Sequence, residues 1–254
     1  SSILTIGYGD ITARSGLGRL LALVAGASGL SVVAITTTYL FAVFGAFQRR
    51  EVFVVLVGTR AGSPPSGVGL LAMHGAPEMR DELPSTFREG QRWAAEVMES
   101  HLAYPILAFF RSSHDYESWL GTLGTLLDAA TLVLTTVNDA SLGQAKVMYA
   151  VGRHAVQDLA HYFNFGEDGV RVPGVEREEF ERARATLQEA GYEVRPLEEA
   201  WSAFMELRCA YASQLNAMAR YWEVPPLQWI GDRSLIADHL RLATHQSKSV
   251  GVRV

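Results

Sequence analysis

Residues 20 to 48 contain no Asp, Glu, Lys or Arg: 29 consecutive uncharged positions bounded by Arg19 and Arg49. Few sequence features restrict a fold as strongly. As a helix at ~1.5 Å rise per residue the run is about 44 Å long, against about 30 Å of bilayer hydrocarbon. It therefore predicts one membrane-spanning helix that tilts, bends or extends beyond the hydrocarbon. Gly26 and Gly29 offer a bend. The same residues form the pairs Ala22/Gly26 and Ala25/Gly29, whose small-xxx-small spacing suits close helix packing instead, and both readings stand. Thr36-Thr37-Thr38-Tyr39 is a polar patch within the run. Polar groups at membrane depth turn toward a bundle interior, so lining of an aqueous cavity is expected for at least one of the three threonines. Bonding back to the helix carbonyls is the plainer alternative.

Ahead of this run stands Thr5-Ile6-Gly7-Tyr8-Gly9-Asp10. Such a segment can turn consecutive backbone carbonyls to one side. Glycine at 7 and 9 admits backbone states in which a Cβ would obstruct the path. Thr5 adds a hydroxyl oxygen at one end, and the Tyr8 ring can brace the loop from behind. A surface turn is the ordinary reading of Gly-Tyr-Gly-Asp, but the long apolar run that follows supplies the context a filter needs.

The segment resembles the selectivity filter of potassium channels, with Ile in place of the usual Val. Residues 1 to about 48 together are similar to the pore of the prokaryotic two-transmembrane/two-pore-domain ion-channel family. The resemblance implies that carbonyls of Thr5, Ile6, Gly7, Tyr8 and Gly9 bind potassium, the transported ion, with no other cofactor. It implies a homotetramer in a lipid bilayer, because four filters must converge on one axis. It also implies an outer helix and a pore helix upstream of residue 1, so the chain is expected to be a piece of a longer subunit. In the family the Gly-Tyr-Gly-Asp end faces outside. That sets Arg49, Arg50 and all that follows in the cytoplasm of a plasma-membrane protein, where the counts of flanking arginines are balanced. Stretches such as Ser63-Pro64-Pro65-Ser66-Gly67 and Pro225-Pro226-Leu227-Gln228-Trp229 resemble the carboxy-terminal extension of some bacterial members.

The expected organisation is filter and outer mouth at 1–12, transmembrane inner helix at 13–50, linker at 51–77, and a cytoplasmic α-helical bundle at 78–254. The fold class is mainly α. Glu51–Val57 reads as a helix extension or a strand, and the Gly/Pro-rich stretch from Gly58 as linker. Helical patterns follow near 85–104, 116–137, 140–165 and 176–190, the last stopped by Gly191. Met148, Val151, Ala155, Leu159 and Tyr162 fall on one face of the 140–165 helix. A single long helix is expected over 197–222. There Trp201, Phe204, Arg208, Tyr211, Leu215, Met218 and Trp222 recur in steps of three and four. Arg208 within that stripe either pairs with a buried carboxylate or snorkels to the edge. The 116–137 stretch has the length of a second span, but Glu117 and Asp128 lie in it. An Asp near a span centre costs roughly 2.5–3.5 kcal/mol, which favours a buried bundle helix.

All but Asp10, Arg14 and Arg19 of the chain's 22 basic and 27 acidic residues follow residue 48, so the second part is acidic. That balance argues against nucleic acid as a partner. The single cysteine, Cys209, excludes an internal disulfide. His154, Asp158 and His161 share a helix face, with His101, His114 and Asp115 as further donors. A helical metal-binding or enzymatic domain fused to a non-conducting pore remnant is the alternative. Gly58-Thr-Arg-Ala-Gly62 lacks the Gly-x-Gly-x-x-Gly of a dinucleotide site, and no nucleophile motif occurs, so no enzyme is expected.

Overall fold

The computed structural model describes residues 13–62, 64–113, 117–139, 141–165 and 174–224. The chain divides into two compact units, Ser1–Gln48 and Arg49–Val254. In the first, the described residues are chiefly the start of α1, which runs from Gly16 to Ala61 and is helical through Gly26 and Gly29. Most large apolar side chains of this part face outward, Leu23 at 70%, Ile35 at 70% and Phe41 at 71% exposure, while Val43 and Ala46 near its end are buried. A helix that turns its largest apolar groups outward along its length belongs in a non-aqueous solvent, and α1 is long and apolar enough to cross a membrane.

Among the described residues the second unit is helical, with one two-residue antiparallel ladder. Its elements are the end of α1, α2 (Gly67–Gly75), α3 (Leu83–Ala103), α4 (Trp119–Thr135), α5 (Leu142–Tyr162), α6 (Arg177–Glu189), α7 (Leu197–Cys209) and α8 (Ala212–Tyr221). Strand β1 (Val137–Asn138) pairs with β2 (Glu193–Val194) in the register Val137 to Val194. Short 3-10 turns at Arg80–Glu82 and Pro105–Phe109 flank α3.

Helix α4 is the centre: every residue from Trp119 to Thr135 except Leu134 is buried. Ser118 caps it, its Oγ accepting the Gly121 N–H at 2.9 Å. Helices α2, α5 and α7 pack on it. Contact with α2 is closest at Gly67, where a Cβ would stand 2.7 Å from the Ala129 nitrogen. The α6 stop is a Schellman motif. Gly191 lies at φ +89°, its N–H donates to the Gln188 carbonyl, and the Tyr192 N–H donates to that of Leu187.

Three expectations differ from the structure. The stretch 51–77, expected as a linker, is mostly helix. α1 continues through it to Ala61, and α2 sets Val68, Leu70 and Leu71 in the core. Its Gly and Pro residues mark a tight corner near Gly62 (φ +87°) and a close helix contact at Gly67 rather than a loose tether. The single helix over 197–222 is two. The Ala210 and Tyr211 N–H groups bond three residues back, to Leu207 and Arg208, and Tyr211 leaves helical dihedrals at φ −139°. The stripe itself is inward-facing on both sides of the break: Phe204, Arg208, Tyr211, Leu215, Met218 and Trp222 are all buried. Tyr162, grouped with Met148, Val151, Ala155 and Leu159 on one face of α5, is 48% exposed at the helix end, while Met148, Ala155 and Leu159 are fully buried.

Candidate functional site

The filter residues Thr5, Ile6, Gly7, Tyr8 and Gly9 lie outside the described residues, as do His114 and Asp115. The described part of the candidate pore is α1. Thr36, Thr37 and Thr38 are exposed on it. The Thr38 hydroxyl donates to the Ala34 carbonyl at 2.8 Å, and Ser31 does the same to Ala27. Back-bonding therefore holds for Thr38, and it satisfies the hydroxyl without a partner helix.

Where α1 enters the second unit, its sequence builds an anchorage. Arg50, Val54, Val57 and Ala61 follow at steps of four, three and four, on one face, and each is at most 2% exposed. Phe53 beside them stacks on Trp93 of α3 with ring centroids 5.1 Å apart. Burying each large apolar side chain here contributes about 1.5–3 kcal/mol before entropy. Arg50 is the polar member of the face. Its Nη1 donates to the Leu107 carbonyl at 2.9 Å and its Nη2 to the Phe110 carbonyl at 2.8 Å. Its Nε donates to Glu51 Oε1 at 2.9 Å, and the Trp93 indole N–H donates to the Arg50 carbonyl at 3.1 Å. The five guanidinium donors are what allow one side chain to hold two carbonyls and a carboxylate at once.

His101, fully buried in α3, completes this cluster. Its Nδ1 is 2.7 Å from the Val97 carbonyl, which cannot donate, so Nδ1 carries the proton. Nε2 is then the acceptor, facing Arg50 Nη1 at 3.3 Å. Burial first, and then the Arg50 charge, hold the imidazole down to about 3, so it is neutral.

A second buried polar cluster fixes α7 and α8 on α4. Arg208 Nη1 bonds Asp128 Oδ1, and the Tyr211 hydroxyl donates to the same oxygen at 2.6 Å. Asp128 is fully buried and Arg208 is 2% exposed. Burial pushes the Asp128 carboxyl up from its ordinary value, while Arg208 and Tyr211 pull it back. Of the two readings open for Arg208, pairing with a buried carboxylate is the one found.

The metal alternative receives no support from the geometry. His154 Nε2 and Asp158 Oδ2 are 3.4 Å apart on the exposed face of α5, and His101 belongs to the Arg50 cluster. Among the described residues no group of three or more His, Cys, Asp or Glu side chains is placed to hold an ion. The Arg50 anchorage is what the sequence reading missed, having counted Arg49 and Arg50 only as flanking charges. The three-and-four spacing from Arg50 to Ala61 is the signal that separates the two arginines.

Comparison with known proteins bears on the apolar part. Residues 1–46 match the model of the ion channel family. The matched segment holds the Thr5–Asp10 motif and most of the apolar run. The chain is also 25% identical over 132 residues to the uncharacterized membrane protein YdjJ of Bacillus subtilis (strain 168). That match covers 51% of this chain and 37% of the relative's length. No solved structure matches the chain. The family match over residues 1–46, the exposed apolar helix and the similarity to a protein named as a membrane protein together support a membrane location.

Proposed function

We propose that these residues belong to a subunit of a potassium-selective channel. The observation that carries the reading is the Thr5–Asp10 motif directly ahead of the membrane-length helix α1, within a segment that matches the ion channel family. Four copies converge, and carbonyls of Thr5, Ile6, Gly7 and Tyr8 replace the hydration shell of the ion. Conduction is passive, by knock-on between adjacent sites, with no cofactor and no chemistry on a substrate. α1 is the inner helix behind the filter, with Thr36 and Thr37 toward the cavity. The helical unit that follows lies in the cytoplasm and carries the inner end of α1 through Arg50.

The test is ion flux into proteoliposomes of the full-length gene product that contains these residues. Selective potassium flux is expected. Gly7→Ala should abolish it or its selectivity while membrane insertion is kept, because a Cβ penalises left-handed backbone states by roughly 1–2 kcal/mol per residue in each subunit. Unchanged discrimination between potassium and sodium in Gly7→Ala would overturn the filter assignment.

A further inference from the structure

The 3-10 turn Pro105–Phe109 separates its side chains by accessibility. Residues three apart eclipse in such a turn, so Ile106 and Phe109 share one ridge. They are 48% and 57% exposed, and the next residue, Phe110, is 38% exposed. Leu107 and Ala108 turn inward. Tyr221, at the end of α8 and 62% exposed, meets the Phe109 ring edge-on at 6.5 Å. Singly exposed apolar residues are ordinary, but adjoining ones that include three aromatics mark a surface that meets something.

The position of the ridge along the chain selects the partner. Arg50 holds the carbonyls of Leu107 and Phe110, so the turn is fixed one side-chain length from α1 at residue 50. Phe44, an exposed aromatic of the apolar segment, precedes Arg50 by six positions. The uncharged run ends at Gln48, two residues before Arg50, so with the run as the span this end of it falls at the headgroup and acyl boundary in which amphipathic elements lie. The chemistry fits the same zone. Aromatic rings gather at this boundary, and arginines extend their heads to the phosphates. Arg49 and Arg111 are both exposed here, Arg111 also bonding Glu223 at 3.2 Å.

We propose that Ile106, Phe109, Phe110 and Tyr221 form a membrane-interface anchor, inserted among the lipid headgroups and first methylenes of the leaflet from which α1 emerges. The anchor rests on the reading of α1 as a membrane span. With Arg50 it ties the helical unit to the bilayer surface at the point where the helix leaves it.

The test uses the full-length gene product with Cys209→Ala, reconstituted in phosphatidylcholine/phosphatidylglycerol vesicles. An environment-sensitive fluorophore is attached at Phe109→Cys, at Val33→Cys within the apolar run, or at Glu189→Cys on exposed α6. Quenching is read with lipids carrying a shallow or a deep nitroxide and with aqueous iodide. The shallow lipid quencher should extinguish the label at 109, the deep one that at 33, and only iodide that at 189. A label at 109 that iodide quenches and lipid does not, with 33 still quenched by lipid, overturns the anchor and leaves the span intact. A label at 109 protected from both quenchers means that protein, such as a second copy of the chain, covers the ridge, and this also overturns it. A label at 33 that lipid does not reach removes the span and the anchor together.

Discussion

Acidification should loosen the second unit through His101, and the size of the effect follows from its surroundings. In the folded chain Nε2 faces the Arg50 guanidinium at 3.3 Å with no water-exposed surface, and the imidazole titrates at about 3 instead of 6.5. The folded value is the lower one, so the unfolded chain takes up the proton first. Stability tied to this group is present above 6.5 and is lost as pH falls toward about 3. At pH 5 the unfolded imidazole is almost wholly protonated and the folded one almost wholly neutral, which corresponds to a loss of about 2 kcal/mol. The full loss, reached near pH 3, is on the order of 5 kcal/mol. Urea unfolding of the detergent-solubilised chain, followed by tryptophan fluorescence between pH 7.5 and 4.5, measures it. Trp119 lies 4.6 Å from the His101 ring and reports locally. His101→Gln retains an acceptor for Arg50 but has no proton to gain, so its stability should change less with pH than that of the parent by about 2 kcal/mol at pH 5. Parallel pH profiles of parent and variant would refute the assignment of a neutral, Arg50-facing imidazole. His74, also buried and lowered by desolvation, acts equally in both proteins and cancels in the comparison.

Other outcomes are expected from the same contacts. Arg50→Met should destabilise the second unit by about 3 kcal/mol, since charge-assisted bonds to Leu107 and Phe110 are lost, while Arg49→Met, at an exposed position, should stay within about 0.5 kcal/mol in the same urea titration. Arg208→Met should cost about 3–5 kcal/mol by leaving the buried Asp128 carboxyl without its guanidinium partner, and Arg208→Met with Asp128→Leu should recover a large part, as a double-mutant cycle would read. Gly191→Ala should cost about 1–2 kcal/mol because its φ is +89°, measured by the shift in thermal midpoint. Chelator should leave the melting temperature of the helical unit unchanged, and a large fall restored by zinc would revive the metal reading of His154, Asp158 and His161.

What could be read in the sequence depended on the range of the physics involved. The uncharged run 20–48 and the Gly191 stop are local: composition alone dictates one, and a single backbone angle the other. The inward stripe from Phe204 to Trp222 was legible because a helical period survives a one-residue break. The break was not, since Tyr211 departs from the helix to reach Asp128, more than eighty residues away in sequence. The same limit hid the anchorage. Arg50 and His101 are ordinary residues in their own neighbourhoods and acquire meaning only when α3 and the Pro105–Phe109 turn close around α1. Glycine and proline misled over 58–77 because they signal either a flexible tether or a tight corner, and which one depends on what packs against them. For the filter, the motif and the apolar run behind it are what the sequence makes legible, and the geometry of the motif lies outside the described residues.

Asp128 carries the argument furthest. Within Trp119–Thr135 it is the one charged residue in a helix otherwise of apolar residues and threonines, whose 17 residues span about 26 Å, short of a ~30 Å hydrocarbon layer. In lipid that carboxylate would lack a partner. In the bundle it receives Arg208 from α7 and the Tyr211 hydroxyl from the α7–α8 corner, on a single oxygen. A purely apolar α4 surface would accept α7 in several registers. A buried carboxylate leaves only the register that brings the guanidinium to it, because every other one strands a charge at a cost of several kcal/mol. The residue that argues against a second membrane span is therefore the one that fixes how α7 and α8 seat on the central helix. Asp128→Leu alone should accordingly destabilise the unit by stranding Arg208. The double replacement with Arg208→Met should restore stability but broaden the amide resonances of α7 and α8, as alternative registers become accessible. Sharp, singly populated resonances in a stable double variant would show that packing alone sets the register.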